Sequence, residues 1–160
     1  MKDGGFLFCM VTGLLGVLGC EVKRMPEGNL VRVELTRSGT MAGYQYEGRV
    51  GRDSTGIFVL RAMQENYGPL FEKKLDGEVM KRFRQIIEEE KMYKYKERYV
   101  PMIKVLDGWS WTFKASFDDG YKIQSHGSNA KPKGDGLERI RHLMEELIQE
   151  GASPISEDEE

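Results

Sequence analysis

The chain has 160 residues, with 24 Lys and Arg against 26 Asp and Glu, a net charge of -2 near neutral pH and 39% hydrophobic residues. That length suits a single domain with a respectable core, and so balanced a charge exerts no global pull toward nucleic acid or an anionic membrane. Two histidines, His126 and His142, and two cysteines, Cys9 and Cys20, leave little for a zinc site, which would need carboxylates to complete it.

Residues 6–18 form an apolar run of 13 residues, short of the roughly 20 that a membrane-spanning helix needs. An apolar stretch of this size closing on a small residue, here Gly19, is the pattern of a cleaved secretory signal. A buried core helix or strand of a cytosolic protein, with Cys9 and Cys20 as ordinary buried thiols, is a poorer reading in view of Gly4, Gly5, Gly13, Gly16 and Gly19, since each interior glycine costs roughly 1 kcal/mol relative to alanine in a helix. The run ends in Val17-Leu18-Gly19-Cys20, which resembles the lipobox of bacterial lipoproteins. Two departures from that pattern are Leu18, larger than the usual residue, and Lys2, whose charge is offset by Asp3. The resemblance implies that the Cys20 thiol is joined to diacylglycerol, that the chain is cut before it, and that the new amino group is acylated. Cys9 would leave with the signal, so the mature chain would keep no thiol for a disulfide and would be held by its core alone. The expected division is a signal at 1–19, a lipidated cysteine and tether at 20–29, one domain at 30–151, and a disordered acidic tail at 152–160.

Within the body, Val31, Val33 and Leu35 alternate with Arg32, Glu34 and Thr36, the period of a half-buried strand. Ser38-Gly39-Thr40 breaks it, and Tyr44, Tyr46 and Val50 carry a second strand. Asp53-Ser54-Thr55-Gly56 reads as a turn before a third strand over residues 57–63, so consecutive short turns point to an antiparallel meander. After a short apolar step at Leu70-Phe71, Asp76 is placed to cap a helix through about Lys91 whose apolar face is Val79, Phe83, Ile86 and Ile87. Glu88, Glu89 and Glu90 read as its solvated end.

Trp109, Trp111, Phe113, Ala115 and Phe117 then alternate strictly with Ser110, Thr112, Lys114 and Ser116, giving a strand with an aromatic face that core packing against the helices explains better than a carbohydrate platform. Asp118-Asp119-Gly120 signals a tight hairpin, with Tyr121, Ile123 and Ser125 on the returning strand. Asp135 is the expected cap of a last helix bearing Leu137, Ile140, Met144, Leu147 and Ile148, with Gly151 ending it. The predicted order is β-β-β-α-β-β-α, an α+β fold with about five antiparallel strands and two helices on one face. From Trp109 to Leu137, Trp-Ser-Trp, Asp-Asp-Gly and Ser-His-Gly-Ser-Asn-Ala-Lys-Pro resemble the C-terminal part of a family of small uncharacterised bacterial proteins, over roughly a quarter of the chain. That resemblance supports the hairpin, loop and helix and implies no activity.

Two segments stand out as binding surfaces. Tyr93, Tyr95 and Tyr99 interleave with Lys94, Lys96 and Arg98 and suit an acidic partner or glycan, although amphipathic side chains also cover sheet edges in this way. The loop at 127–134 carries Ser128, Asn129, Lys131 and Lys133 and would present amides and positive charge to an anion, unless Asn129 and Pro132 merely shape the connection. His126 with Ser125, Ser128 and Asp118 would serve a hydrolase if they converged, but no nucleophile motif surrounds them. The Asp118-Asp119 pair is explained by its turn, and His142 reads as a surface residue. The expected function is therefore a non-enzymatic, lipid-anchored domain of a bacterial cell envelope, periplasm-facing or on the surface, that binds a protein, peptide or glycan and uses no cofactor or metal. An envelope hydrolase built on the His126 loop and a structural component of an envelope complex are the alternatives.

Overall fold

A computed structural model describes residues 23–39, 45–63, 68–103 and 108–155. Cys20 and the whole expected signal lie outside the described residues, as does the end of the acidic tail. Among the described residues the chain runs β1 (Leu30–Gly39), β2 (Gln45–Arg52), β3 (Phe58–Met63), β4 (Leu70–Leu75), α1 (Gly77–Glu89), a single 3-10 turn at Met92–Lys94, β5 (Arg98–Tyr99), β6 (Trp109–Phe117), β7 (Lys122–Ser128), α2 (Gly136–Gln149) and β8 (Ser153–Pro154). The eight strands form one sheet in the order β5-β7-β6-β1-β2-β3-β4-β8. Every pairing is antiparallel except that of β5 with β7.

The α+β class expected from the sequence is present, but the count of about five antiparallel strands is corrected to eight in a mixed sheet. β4, β5 and β8 account for the difference. Leu70-Phe71-Glu72-Lys73-Lys74-Leu75 has no clean alternation of apolar and polar residues. It is a strand because β3 lies beside it, with Leu60 opposite Lys73 and Ala62 opposite Phe71. β5 and β8 are two residues each, too short for any periodicity to mark them. The start of the tail read as disordered, Ser153–Pro154, pairs with Phe71 and Glu72.

Both helices pack on one face of the sheet, and in β1, β2, β6 and β7 the alternation of side chains decides what meets them. Val33, Leu35, Tyr46, Val50, Leu60, Phe113 and Ala115 are buried there with Phe83, Ile87, Ile140 and Met144. The opposite face is polar. One row crosses it as Gln124, Lys114, Glu34, Arg49, Arg61 and Glu72, a cross-strand series in which Glu34 lies beside Arg32, Arg49 and Lys114, and Arg61 pairs with Glu72 at 2.7 Å. A sheet with one dry and one wet face yields the period-two pattern from which β1 and β6 were legible.

Asp76 caps α1 as expected, accepting from the amides of Glu78 and Val79 at 2.9 and 3.2 Å. Met80 joins Phe83, Ile86 and Ile87 in the core while Val79 is only half-buried. Glu89 and Glu90 are not simply solvated: Arg139 on α2 bridges both, at 2.6 and 2.8 Å, and Glu90 also accepts from the Asp135 amide. Asp135 therefore starts α2 without a side-chain cap of its own. At the other end Gly151, with φ of 114°, turns the chain out of α2.

Residues 23–29, the described part of the expected tether, lie against the body. Gly28 and Asn29 donate their amides to Asp119 and Asp118 at 2.8 and 2.7 Å, and Asn29 adds a side-chain bond to Asp118. Arg84 of α1 donates to the carbonyls of Gly28 and Pro26. The side-chain bond from Asn29, followed by its amide, holds the Asp118 carboxyl below its ordinary value of 3.8. A carboxyl lowered in the folded state contributes stability above its unfolded pKa and loses it as pH falls through the folded value. Amide exchange at Asn29 is therefore expected to speed up as pH falls below about 4, after correction for intrinsic rates. Asn29→Ala should move that loss to higher pH; identical profiles for the two proteins would count against the tie.

Candidate functional site

Three segments far apart in sequence enclose a groove of about 710 Å³. Residues 23–26 form one wall, residues 93–97 another, and the start of β7 with Tyr121 the third; the lining includes Lys23, Arg24, Tyr93, Tyr121, Lys122 and Gln124. The turn after α1 creates the second wall. Lys91 adopts a left-handed backbone at φ of 51°, which ends the helix and swings Met92 and Tyr95 into the core. The carbonyl of Lys96 accepts from the buried Ser125 hydroxyl at 2.6 Å, and that of Glu97 accepts from the His126 amide at 2.9 Å. Lys23 closes the rim by donating to the carbonyl of Tyr95 at 2.9 Å.

The sequence singled out Tyr93, Tyr95 and Tyr99 as one surface, and the fold divides them. Tyr93 is half-buried and lines the groove, with the Lys94 ammonium 5.7 Å from its ring. Tyr95 is only 7% exposed, and its hydroxyl is buried with no hydrogen-bond partner among the described residues. Burial, with the Glu90 carboxylate second, pushes that phenol well above its usual range, so Tyr95 stays neutral and serves as core. Tyr99 packs on Trp111 with ring centroids 5.7 Å apart and accepts from the Lys96 amide. What the sequence missed in the groove is the contribution of Lys23, Arg24, Tyr121, Lys122 and Gln124. No local pattern marks them, because their proximity depends on how β7 meets the N-terminal segment.

The second candidate, the loop at 127–134, lies elsewhere. Asn129, at φ of 51°, spends its amide on the Trp109 carbonyl and its side-chain oxygen on the Trp109 amide, each at 2.9 Å. That clamp closes the open end of the β6-β7 hairpin. Ser128, Lys131 and Lys133 remain exposed, and Pro132 is buried, which is the arrangement of a shaped connection.

The residues of the hydrolase alternative do not meet. Ser125 faces the core, while His126, its neighbour on an extended strand, points to the opposite, polar face. Asp118 is at the far end of the hairpin, bonded to Asn29. Among the described residues no group of three or more His, Cys, Asp and Glu could hold a metal ion, and no helix is long and apolar enough to cross a membrane. His142 is exposed beside Glu145, as a surface residue would be. Outside both predicted sites, Val100, Met102 and Ile103 after β5 and Trp109 at the start of β6 are exposed apolar side chains.

A scan against protein-family models finds no match for this chain, and a search of curated proteins finds no significant relative.

Proposed function

We propose that this chain is a lipid-anchored protein of a bacterial cell envelope whose α+β domain binds a peptide or glycan in the groove beside Tyr93 and does not catalyse a reaction. The observation that carries the binding part is the groove itself: a cavity of about 710 Å³ lined by three tyrosines, Tyr93, Tyr121 and the largely buried Tyr95, and by three cations, Lys23, Arg24 and Lys122, opposed by the single carboxylate of Glu97. Ligand sites are commonly concave, with apolar or aromatic walls and a few convergent polar groups. An acidic or hydroxyl-rich ligand matches this lining. The anchoring part rests on the spacing that places Cys20 after an apolar run of 13 residues. Lys23 then lies three residues beyond the acylated position, so an anchored domain would carry its groove close to the bilayer.

Two measurements test the two parts. Expression in a bacterial host of the natural chain and of Cys20→Ala should show, for the natural chain alone, loss of the first nineteen residues, added acyl mass and partition into membranes. An intact, unmodified chain that stays in the aqueous phase would overturn the anchoring. Binding is read on an array of acidic and neutral peptides and of uronic-acid and neutral oligosaccharides, probed with the natural chain and with Tyr93→Ala. A subset of ligands retained at least ten-fold more weakly by Tyr93→Ala is expected; equal retention throughout would take the groove out of the reading.

A further inference from the structure

We infer that the groove takes an extended acidic peptide, which joins the sheet as an added strand along the open edge of β7. This rests on the binding role proposed above and names its ligand class.

The edge can be read bond by bond. On one side β7 is paired with β6 along its whole length, from Lys122 opposite Ser116 to Ser128 opposite Ser110. On its other side β5 covers only His126 and Gly127. Peptide groups of an extended strand point alternately to its two sides. The Phe117 amide donates to the Tyr121 carbonyl at 3.0 Å, so the odd-numbered residues of β7 face β6; the His126 amide donates outward to Glu97 at 2.9 Å, so the even-numbered ones face away. Both bonds place the amides and carbonyls of Lys122 and Gln124 on the groove side, two donors and two acceptors without a partner among the described residues. The position in line with β5 that would serve them is left open because residues 95–97 turn toward the buried face, where Lys96 meets Ser125.

An unpaired strand edge is a template for another chain, and folded proteins cover or charge such edges. Here the segments 23–26 and 93–97 line the same groove as Lys122 and Gln124, so a chain held in it lies beside that edge. Main-chain bonds give such an added strand its affinity, and the flanking side chains give its specificity. Arg24 and Lys122 on the rim, against Glu97, select acidic residues. A sugar chain does not offer donors and acceptors in pairs at the two-residue repeat of a strand, roughly 6.6 Å, so the edge favours a peptide.

The probe is a labelled heptapeptide alternating glutamate with threonine, titrated against the full-length chain, together with two forms N-methylated at every second amide in opposite phases. One phase is expected to weaken binding more than ten-fold and the other to retain it, since only one set of amides faces β7. Exchange at the Lys122 and Gln124 amides should slow on binding. In Gln124→Pro, which removes an amide on the open side, affinity should drop by a similar factor. The inference is overturned if both N-methylated phases bind as the parent does, if the exchange of those amides is unchanged on saturation, or if no peptide binds. Should a uronic-acid oligosaccharide instead bind the natural chain and lose affinity in Tyr93→Ala, the added strand is ruled out while the groove keeps its binding role. The N-methylated pair uses the natural protein, so the test stands even if Gln124→Pro fails to fold.

Discussion

Replacing Trp111 with alanine is expected to cost about 3–5 kcal/mol, a large share of the 5–15 kcal/mol that holds a domain of this size together. Trp111 is 2% exposed, the largest of the fully buried side chains among the described residues. It lies where β6 meets β7, with Tyr99 against its ring and its indole Nε1 donating to the Ala130 carbonyl at 2.8 Å. Removing it leaves a cavity that the sheet cannot close, because β6 is paired on both sides. Guanidinium unfolding should show a lower midpoint with the slope unchanged. Trp111→Phe separates packing from polarity: it keeps most of the ring contact and loses the bond to Ala130, a loss of about 1 kcal/mol. If Trp111→Ala unfolds within 1 kcal/mol of the natural chain, the indole is not the keystone of this corner. A fall in the midpoint for Trp111→Phe as large as for alanine would assign the effect to the hydrogen bond.

Gly127→Ala should destabilise the same corner by about 1–3 kcal/mol through overpacking. Gly127 faces Trp111 across the β6-β7 pair and Tyr99 across the β5-β7 pair, and the indole covers the space that its missing side chain leaves. A Cβ at this position would lie 2.5 Å from the Ala130 carbonyl oxygen and closer still to Trp111 Nε1, the two atoms that bond each other. The alanine must therefore displace the indole or part that bond. Because both substitutions act on one contact, their effects should not add, and the double mutant Gly127→Ala with Trp111→Phe should show an interaction of 0.5 kcal/mol or more. Strict additivity in the unfolding midpoints would mean that the methyl group is accommodated elsewhere. At this position on β7, opposite Trp111, only glycine leaves room for the ring and its bond to Ala130.

The exposed residues Val100, Met102 and Ile103 follow directly from the parallel approach of β5 to β7. β5 ends after two residues, and among the described residues Val100, Met102 and Ile103 are exposed where the chain leaves the sheet edge. The same abrupt ending, read at the other end of β5, leaves Lys122 and Gln124 open. A two-residue strand thus shapes both surface features of this edge.

By itself the sequence determined what is local. α1 follows from Asp76 and a helical stripe, α2 from the spacing of Leu137, Ile140, Met144, Leu147 and Ile148 and from Gly151, and the β6-β7 hairpin from aromatic alternation and Asp118-Asp119-Gly120. In each case a few consecutive residues carry the whole cause: a side chain that satisfies nearby amides, an apolar face at the helical period, or a turn that accepts positive φ. Only the tertiary structure decided that β1 lies between β2 and β6, that residues 70–75 are a strand, and that residues 98–99 run parallel to β7. These are pairings between segments far apart in the chain, and a strand's hydrogen bonds belong to its neighbour rather than to itself. The groove is decided at that level too. Tyr93 was legible as a candidate because it sits in an unusual run of tyrosines and cations. Tyr95, in the same run, went to the core because the left-handed turn at Lys91 rotates it inward. Lys23, Arg24, Lys122 and Gln124 carry no signal of their own, since what brings them to one groove is the side of β7 that β5 leaves uncovered.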